Sequence, residues 1–528
     1  MNKFYITAAI DYVNSSPHVG TAYEKIGADA LARWKRLCGY NTFFLMGQDE
    51  HSTNVEKKAI SLGLDPLSYC NNMEEEFRNV WIKLNVSFDD FIRTTSPIHK
   101  NTVQKIFNRI NSSGDIYKGT YKGWYCVSCE AYKKETELID GKCPNHKSPP
   151  KWIEEENYFF KLTNYRDKLL NYVQKNPTFI MPNIRRNEIL NVLQEGLDDI
   201  SISRASTKWG VPIPQDEGHV IYVWFDALIN YLSGVGFEDN TNRFSTYWPA
   251  DVHVIGKDIT RFHCIIWPAM LLSAGLPLPK TIFGHGFVYV KGQKMSKTLG
   301  TVIDPSNVAD KYGADALRYF LLREIAFDND GDFTWEKFIE RYNSDLANDL
   351  GNLLHRTLNM INKYQDGIIT VTSDAAEPVD DNLKNCLLTL AEKVEPLMEN
   401  LAFHNALAVI WEQVNRVNRY IEETSPWTLS KNNKKARLQT VLYNTIEAIR
   451  ILATLLSPFI PTTSTKIWEQ MGLNPADMQT QKNIDSIKTS VTLDTAKRWD
   501  YIKTGTKVKK GEPLFPRIDE DGSKVENP

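Results

Sequence analysis

Residues 4–20, Phe4-Tyr-Ile-Thr-Ala-Ala-Ile-Asp-Tyr-Val-Asn-Ser-Ser-Pro-His-Val-Gly20, decide how this chain folds. An apolar strand, a short polar turn and a helix start follow one another without a spare residue, and such a junction turns backbone N–H groups toward an anion. Ser16 is the expected cap, with Pro17 at the first helical position, where its missing N–H costs nothing. Val19, Ala22, Tyr23, Ile26, Ala30, Trp34 and Leu37 recur at three- and four-residue spacing, so the helix buries one face until Gly39 ends it. A second apolar run, Thr42 to Met46, follows directly. Strand, helix and strand of these lengths read as a parallel crossover, and a ligand site belongs at the strands' carboxyl ends. The next residues there, Gly47-Gln48-Asp49-Glu50-His51, are acidic and imidazole groups.

Working outward, strand and helix alternation returns at Val220 to Ala227 and at His253 to Asp258, a second half for the same doubly wound sheet. After Asp258, the residues Ile259, His263 and Trp267 fall at i, i+4 and i+8 and are expected on one helix face. Between the two halves the composition changes near residue 116: aromatics, glycines and lysines crowd together, followed by Cys126-Val-Ser-Cys129 and Cys143-Pro-Asn-His146. A Cys-x-x-Cys facing a Cys-x-x-His has the ligand number, type and spacing of a closed tetrahedral zinc site, and a site with four protein ligands is structural. Beyond about residue 320 the periodicity is helical throughout, which reads as an all-α bundle. There Asn352 and Arg356 lie one turn apart, and Ser425-Pro426-Trp427 ends another helix with a large aromatic, the groups used to recognise unpaired bases.

The whole chain narrows the classes. Its 528 residues suffice for several modules with substantial cores, and 42% hydrophobic with 24% charged residues is ordinary for a globular protein. A formal net charge of −3 leaves any nucleic-acid contact to local basic patches. Apolar runs such as Ile451 to Leu456 are cut off by Arg450 and Pro458, too short to span a bilayer. No charged-then-apolar leader precedes the first strand, which points to a cytoplasmic protein. Of seven cysteines only Cys126, Cys129 and Cys143 cluster, which fits a reducing compartment and a metal knuckle.

One further segment connects these parts. Val290-Lys-Gly-Gln-Lys294-Met-Ser296-Lys297-Thr298 places two lysines around a small hydroxyl on a Gly-bearing loop. Together with Pro17-His18-Val19-Gly20 it resembles the HIGH and KMSKS signatures of class I aminoacyl-tRNA synthetases, with Thr21 in place of the second His and Thr298 in place of the last Ser. Thr21 can donate a hydrogen bond to a phosphate but carries no charge. Through AAIDY, GQDEH, YVWFDALINY, IGKDITRFHCIIWPA, GHGFV and KMSKT the resemblance narrows to the methionyl-tRNA synthetases, and the single zinc knuckle is similar to one form of that family.

The resemblance implies a doubly wound, parallel-sheet (Rossmann-like) α/β catalytic domain with a zinc-knuckle insertion, followed by an α-helical bundle. The expected divisions are 1–115 and 213–320 for the two catalytic halves, 116–212 for the insertion, 321–345 for a stem-contact linker, 346–490 for the anticodon-binding bundle and 491–528 for a tail folding back. It implies ligation of methionine to tRNA(Met) through a methionyl-adenylate. His18, Lys294 and Lys297 would be the catalytic groups, with ATP and Mg²⁺ also held by Pro17, Gly20, Thr21, Gly256, Asp258, His285, Val288 and Ser296. Methionine would be held by Asp49 at its ammonium and by Ile10, Tyr12, Trp224, Ala227, Tyr231, Ile259, His263 and Trp267; Leu228 stands where the family often has Pro. Asn352, Arg356 and Trp427 would read the anticodon, Cys126, Cys129, Cys143 and His146 would hold Zn²⁺, and a monomer is the simplest expectation. Two other classes share parts of the pattern. A small-molecule nucleotidylyltransferase would leave the helical half idle, and a non-catalytic tRNA-binding relative would lack the two lysines.

Overall fold

A computed structural model describes residues 2–126, 131–133, 135–144, 147–205, 207–295, 301–370, 375–474 and 492–519. Its first four strands are β1 (Lys3–Ala8), β2 (Asp11–Tyr12), β3 (Asn41–Asp49) and β4 (Asp90–Arg93), and helix α1 (Val19–Leu37) makes the first crossover. β1 lies between β3 and the strand Val252–Gly256, which pairs in turn with Thr281–His285, and every pairing in this central sheet is parallel. After a break at residues 9 and 10, β2 continues along β3 and sets Tyr12 beside Asp49. The far edge is Ile180–Met181, which pairs with Thr281–His285. The sheet therefore takes a strand from the 116–212 stretch that the sequence sets apart as an insertion.

Strand alternation divides the side chains between two cores. Phe4, Ile6, Phe44 and Met46 face α1, the helix Pro66–Lys83 and the helical half of the chain in one continuous core. Tyr5, Phe43 and Leu45 face the helices Pro97–Ser112, Arg166–Lys175 and Trp267–Ser273 in the other. Burying both faces is what a doubly wound sheet requires.

In the helical half, Lys435–Leu456 is buried almost all round, so it is the central rod on which Pro378–Leu388, Phe403–Thr424 and Pro461–Gln470 pack. This half is fixed to the catalytic half from α1. Arg318, fully buried, reaches Asp29 at 2.7 Å and donates to the carbonyls of Phe459 and Pro458. Lys35 pairs with Glu399. Residues 492–519 fold back: Arg450 donates to the carbonyls of Thr495 and Arg498, Glu447 accepts from the Ile502 N–H, and Asn343 bonds both N–H and carbonyl of Ile518. Among the described residues no helix is long and apolar enough to cross a membrane.

Candidate active site

The chain crosses from one side of β1 to the other between β3 and Val252–Gly256, and the carboxyl ends of these strands open into a cavity of about 940 Å³. It is lined by Ile10, Tyr12, Thr21, Asp49, Trp224, Ala227, Tyr231, Gly256, Asp258, Ile259 and His263, which are most of the residues expected from sequence for methionine and nucleotide.

At the mouth stands the start of α1. Its N-cap is His18 and not Ser16, so Pro17 precedes the helix and does not open it. The extended backbone of His18 lets its ring reach forward: the Thr21 N–H donates to Nδ1 at 3.2 Å, and the Thr21 hydroxyl accepts from the His18 N–H at 3.2 Å. This reciprocal capping box gives Thr21 a definite task and leaves Nε2 as the protonated ring nitrogen. The Val19 N–H is engaged by the Ile303 carbonyl at 3.0 Å, so part of the helix terminus expected to meet an anion is occupied by the chain itself.

The second lysine-bearing segment arrives at the same point. Lys291 and Gly292 both have positive φ, 53° and 71°, and form a two-residue hairpin turn between Val288–Val290 and Gln293–Lys294. The Met295 side chain then lies against the first motif: a Cβ on Gly20 would stand 2.9 Å from Met295 Cε and 2.9 Å from His18 Cε1. A side chain at this position would have to push both aside. The side chain of Lys294 and the whole of Ser296 and Lys297 lie outside the described residues.

Deeper in, burial governs the chemistry. His263 accepts from the Tyr231 hydroxyl at Nε2 (2.7 Å) and donates from Nδ1 to the Ile259 carbonyl (3.1 Å), and desolvation lowers its pKa to about 4. Its ring is therefore neutral near pH 7, and burial likewise pushes Tyr231 far up. Trp224 stacks on Phe262 with centroids 4.0 Å apart at the cavity wall. Trp267 is not in that wall. The turn Phe262–Ile266 is π-helical, and the extra residue per turn rotates Trp267 into the core behind Tyr231, where its N–H meets His253. The helix Val223–Leu228 that presents Trp224 and Ala227 is anchored by Asp226, whose carboxylate takes His51 at 2.7 Å and His99 at 2.8 Å. Burial opposes that charge, and the two imidazoles outweigh it to hold Asp226 at about 2.

On the nucleotide side Thr21, Gly256 and Asp258 line the cavity, whereas Pro17, His285 and Val288 are buried and do not line it. Sequence reading missed Asp11, Glu24, Lys25, Asn230 and Phe262, all of which line it. Glu24 and Lys25 interrupt the apolar stripe of α1 and read as a solvated face, but this helix is covered on nearly every side.

Elsewhere, Arg356 is half-buried and pairs with Glu422 at 2.6 Å, on the helix that ends just before Trp427. Asn352 is exposed, and Trp427 is 42% exposed. Cys126 and Cys143 are buried free thiols. Their expected partners Cys129 and His146 lie outside the described residues.

The chain matches the model of class I (M) tRNA synthetases over residues 4–151 and 134–358, and the anticodon-binding domain of tRNA ligases over 380–511. Fold, cavity and paired motifs are thus those of a class I aminoacyl-tRNA synthetase. It is 48% identical over 518 residues to the methionine–tRNA ligase of Caldanaerobacter subterraneus subsp. tengcongensis, covering 98% of this chain and 79% of that one. To that of Thermotoga maritima it is 47% identical, covering 98% and 80%. The methionyl-tRNA synthetase of Mycobacterium tuberculosis in complex with methionyl-adenylate superposes with a TM-score of 0.92 at 41% identity, covering 98% of this chain and 100% of that one. The chain belongs to the methionine–tRNA ligases, the enzymes that activate methionine with ATP and charge tRNA with it.

Proposed function

We propose that the cavity holds L-methionine and ATP end to end, with the thioether between Tyr231, His263 and Trp224, the ammonium on Asp49, and the nucleoside toward Gly256 and Asp258. The observation that carries this reading is the meeting of the two motifs: Met295 against Gly20 and His18, with Ile303 on the first N–H of α1, at the mouth of a pocket that joins aromatic and aliphatic walls to buried carboxylates. A methionine carboxylate oxygen attacks the α-phosphorus, the bond to the bridging oxygen breaks, and pyrophosphate leaves. A ribose hydroxyl of the tRNA end then attacks the acyl carbon and AMP departs.

The chain's own part is to align the reactants and meet the charge that builds on the phosphates. His18 is aimed by its capping box, and Lys294 and Lys297 on the adjoining loop supply positive charge, with Ser296 as a hydroxyl donor. Mg²⁺ accompanies ATP and neutralises phosphate charge when bound. In the pocket, a neutral imidazole and a phenol place polar groups by the sulfur, and methionine's unbranched chain follows the wall where leucine does not. Asn352, Arg356 and Trp427 offer hydrogen bonds and a stacking face to anticodon bases.

Cys126, Cys129, Cys143 and His146 would hold a structural Zn²⁺. In support, Cys126 and Cys143 are buried and undisulfided, and Cys143 heads a tight turn closed by bonds from its N–H to Ser148 and from the Lys147 N–H to its carbonyl. The free thiols fit a reducing, cytoplasmic setting. One chain lines the whole cavity, and we take the monomer as the working unit. Methionine-dependent exchange of labelled pyrophosphate into ATP, with the other amino acids as controls, tests the reading. Exchange driven equally by leucine would refute it.

A further inference from the structure

We propose that Lys25 is a positioning residue that joins the methionine half of the cavity to the nucleotide half. The inference rests on the assignment of those halves above. Lys25 is 1% exposed, one turn into α1 from Thr21. Its three ammonium protons meet three oxygens: the Ala9 carbonyl at 2.5 Å, Asp11 Oδ1 at 3.0 Å and Glu24 Oε1 at 2.7 Å.

These partners belong to different walls. Ala9 and Asp11 flank Ile10 at the break between β1 and β2, and Asp11 is followed by Tyr12, the residue beside Asp49. Glu24 continues the other way: its Oε2 lies 3.0 Å from His285 Nε2, while His285 Nδ1 lies 2.7 Å from the Gly286 carbonyl. His285 ends the strand Thr281–His285, paired in register with Gly256. Asp11, Lys25 and Glu24 thus follow one another in a row along the cavity wall, with His285 behind Glu24, from the methionine side to the nucleotide side.

Lys25 governs both ends of the row. Burial pushes Asp11 up to about 6, with Lys25 resisting that rise and Glu24 adding to it. Burial also opposes charge on Glu24, yet Lys25 and His285 bring it down to about 2. Without the ammonium, two buried carboxylates would share one site, and one of them would take up a proton and turn away. A buried ion pair adds little net stability compared with apolar groups of equal volume. What it provides here is geometry, since both carboxylates line the cavity.

The test is calorimetric titration of the full chain with methionine and with ATP, separately, for the unaltered protein and for Lys25→Met, Asp11→Asn and Glu24→Gln. Lys25→Met is expected to weaken both ligands by about tenfold or more, Asp11→Asn methionine alone, and Glu24→Gln ATP alone. Undiminished binding of both ligands by Lys25→Met overturns the proposal, and so does loss of the same ligand in both carboxylate variants. Should Lys25→Met fail to fold, the paired change Asp11→Leu with Lys25→Met removes both charges at once; it is expected to fold and bind methionine weakly, and normal methionine affinity there overturns the proposal. Absence of methionine binding by the unaltered protein would instead sink the assignment of the cavity.

Discussion

His263 is held by two hydrogen bonds of opposite sense, and only the neutral ring satisfies both. Its pKa is about 4 in the fold against 6.5 in an open chain, so the unfolded protein binds more protons between those values. Stability from this residue is complete above pH 6.5 and drains away as pH falls toward 4. Between pH 7 and pH 5 the loss amounts to about 2 kcal/mol, and buried His253 acts in the same direction. Urea unfolding at the two pH values is expected to show this slope, flattened in His263→Gln; an equal slope in both would mean the buried ring is not the sensor. Lys297 stands at the other extreme, since the charge it meets exists fully only in the transition state. Lys297→Ala is expected to leave methionine affinity nearly intact and to slow adenylate formation by about 2–4 kcal/mol in barrier. Rapid-quench measurement of adenylate alongside methionine titration separates the two.

At the scale of elements, the parallel crossover and the site at the strands' carboxyl ends follow from apolar runs and where they stop, which is why Asp49 and His263 are legible in the sequence, whereas Ile10 is named only by the family resemblance. Local backbone departures were not legible. Ser16 and Pro17 are a reasonable helix start by residue type, yet the ring of His18 competes for the Thr21 N–H and wins the cap one residue later. Trp267 keeps perfect α-helical spacing from His263, and one π-turn between them removes it from the pocket. Lys25 and Glu24 escaped notice because charge on a helix normally marks solvent, and here it marks partners contributed by distant strands. In the bundle, the Arg356–Glu422 pair holds one of the predicted base-reading residues beside the end of the helix Phe403–Thr424, and Trp427 follows on the next helix, Pro426–Lys431. Trp427→Ala is expected to weaken tRNA use by about 1–3 kcal/mol while pyrophosphate exchange without tRNA stays normal. A parallel fall in exchange would show that the indole supports the fold.

For the molecule as a whole, α1 is the shared part: its first turn caps the active site, and its later turns carry Asp29 and Lys35 to Arg318 and Glu399. Because Arg318 takes four backbone carbonyls and one carboxylate out of water, removing it leaves those carbonyls without a donor in a dry interface and Asp29 with Arg33 and Ser87 as its remaining partners. Arg318→Met is expected to cost about 3–5 kcal/mol and to split a single calorimetric transition into two; one unsplit transition would mean the apolar contact alone couples the halves. The folded-back tail has a different consequence, in time. Glu447 and Arg450 are both 0% exposed; they pair with each other at 2.8 Å and complete their hydrogen bonds only with Thr495, Arg498 and Ile502. During synthesis the central rod leaves the ribosome with these two charges paired to each other, but with the Arg450 donors meant for Thr495 and Arg498 and the Glu447 oxygen meant for the Ile502 N–H still without their partners. The bundle is therefore expected to complete its polar contacts only once residues 495–502 emerge. A ribosome that stalls shortly before that point is expected to hold a nascent chain whose rod still lacks its last polar partners, a weak point open to chaperones and proteases.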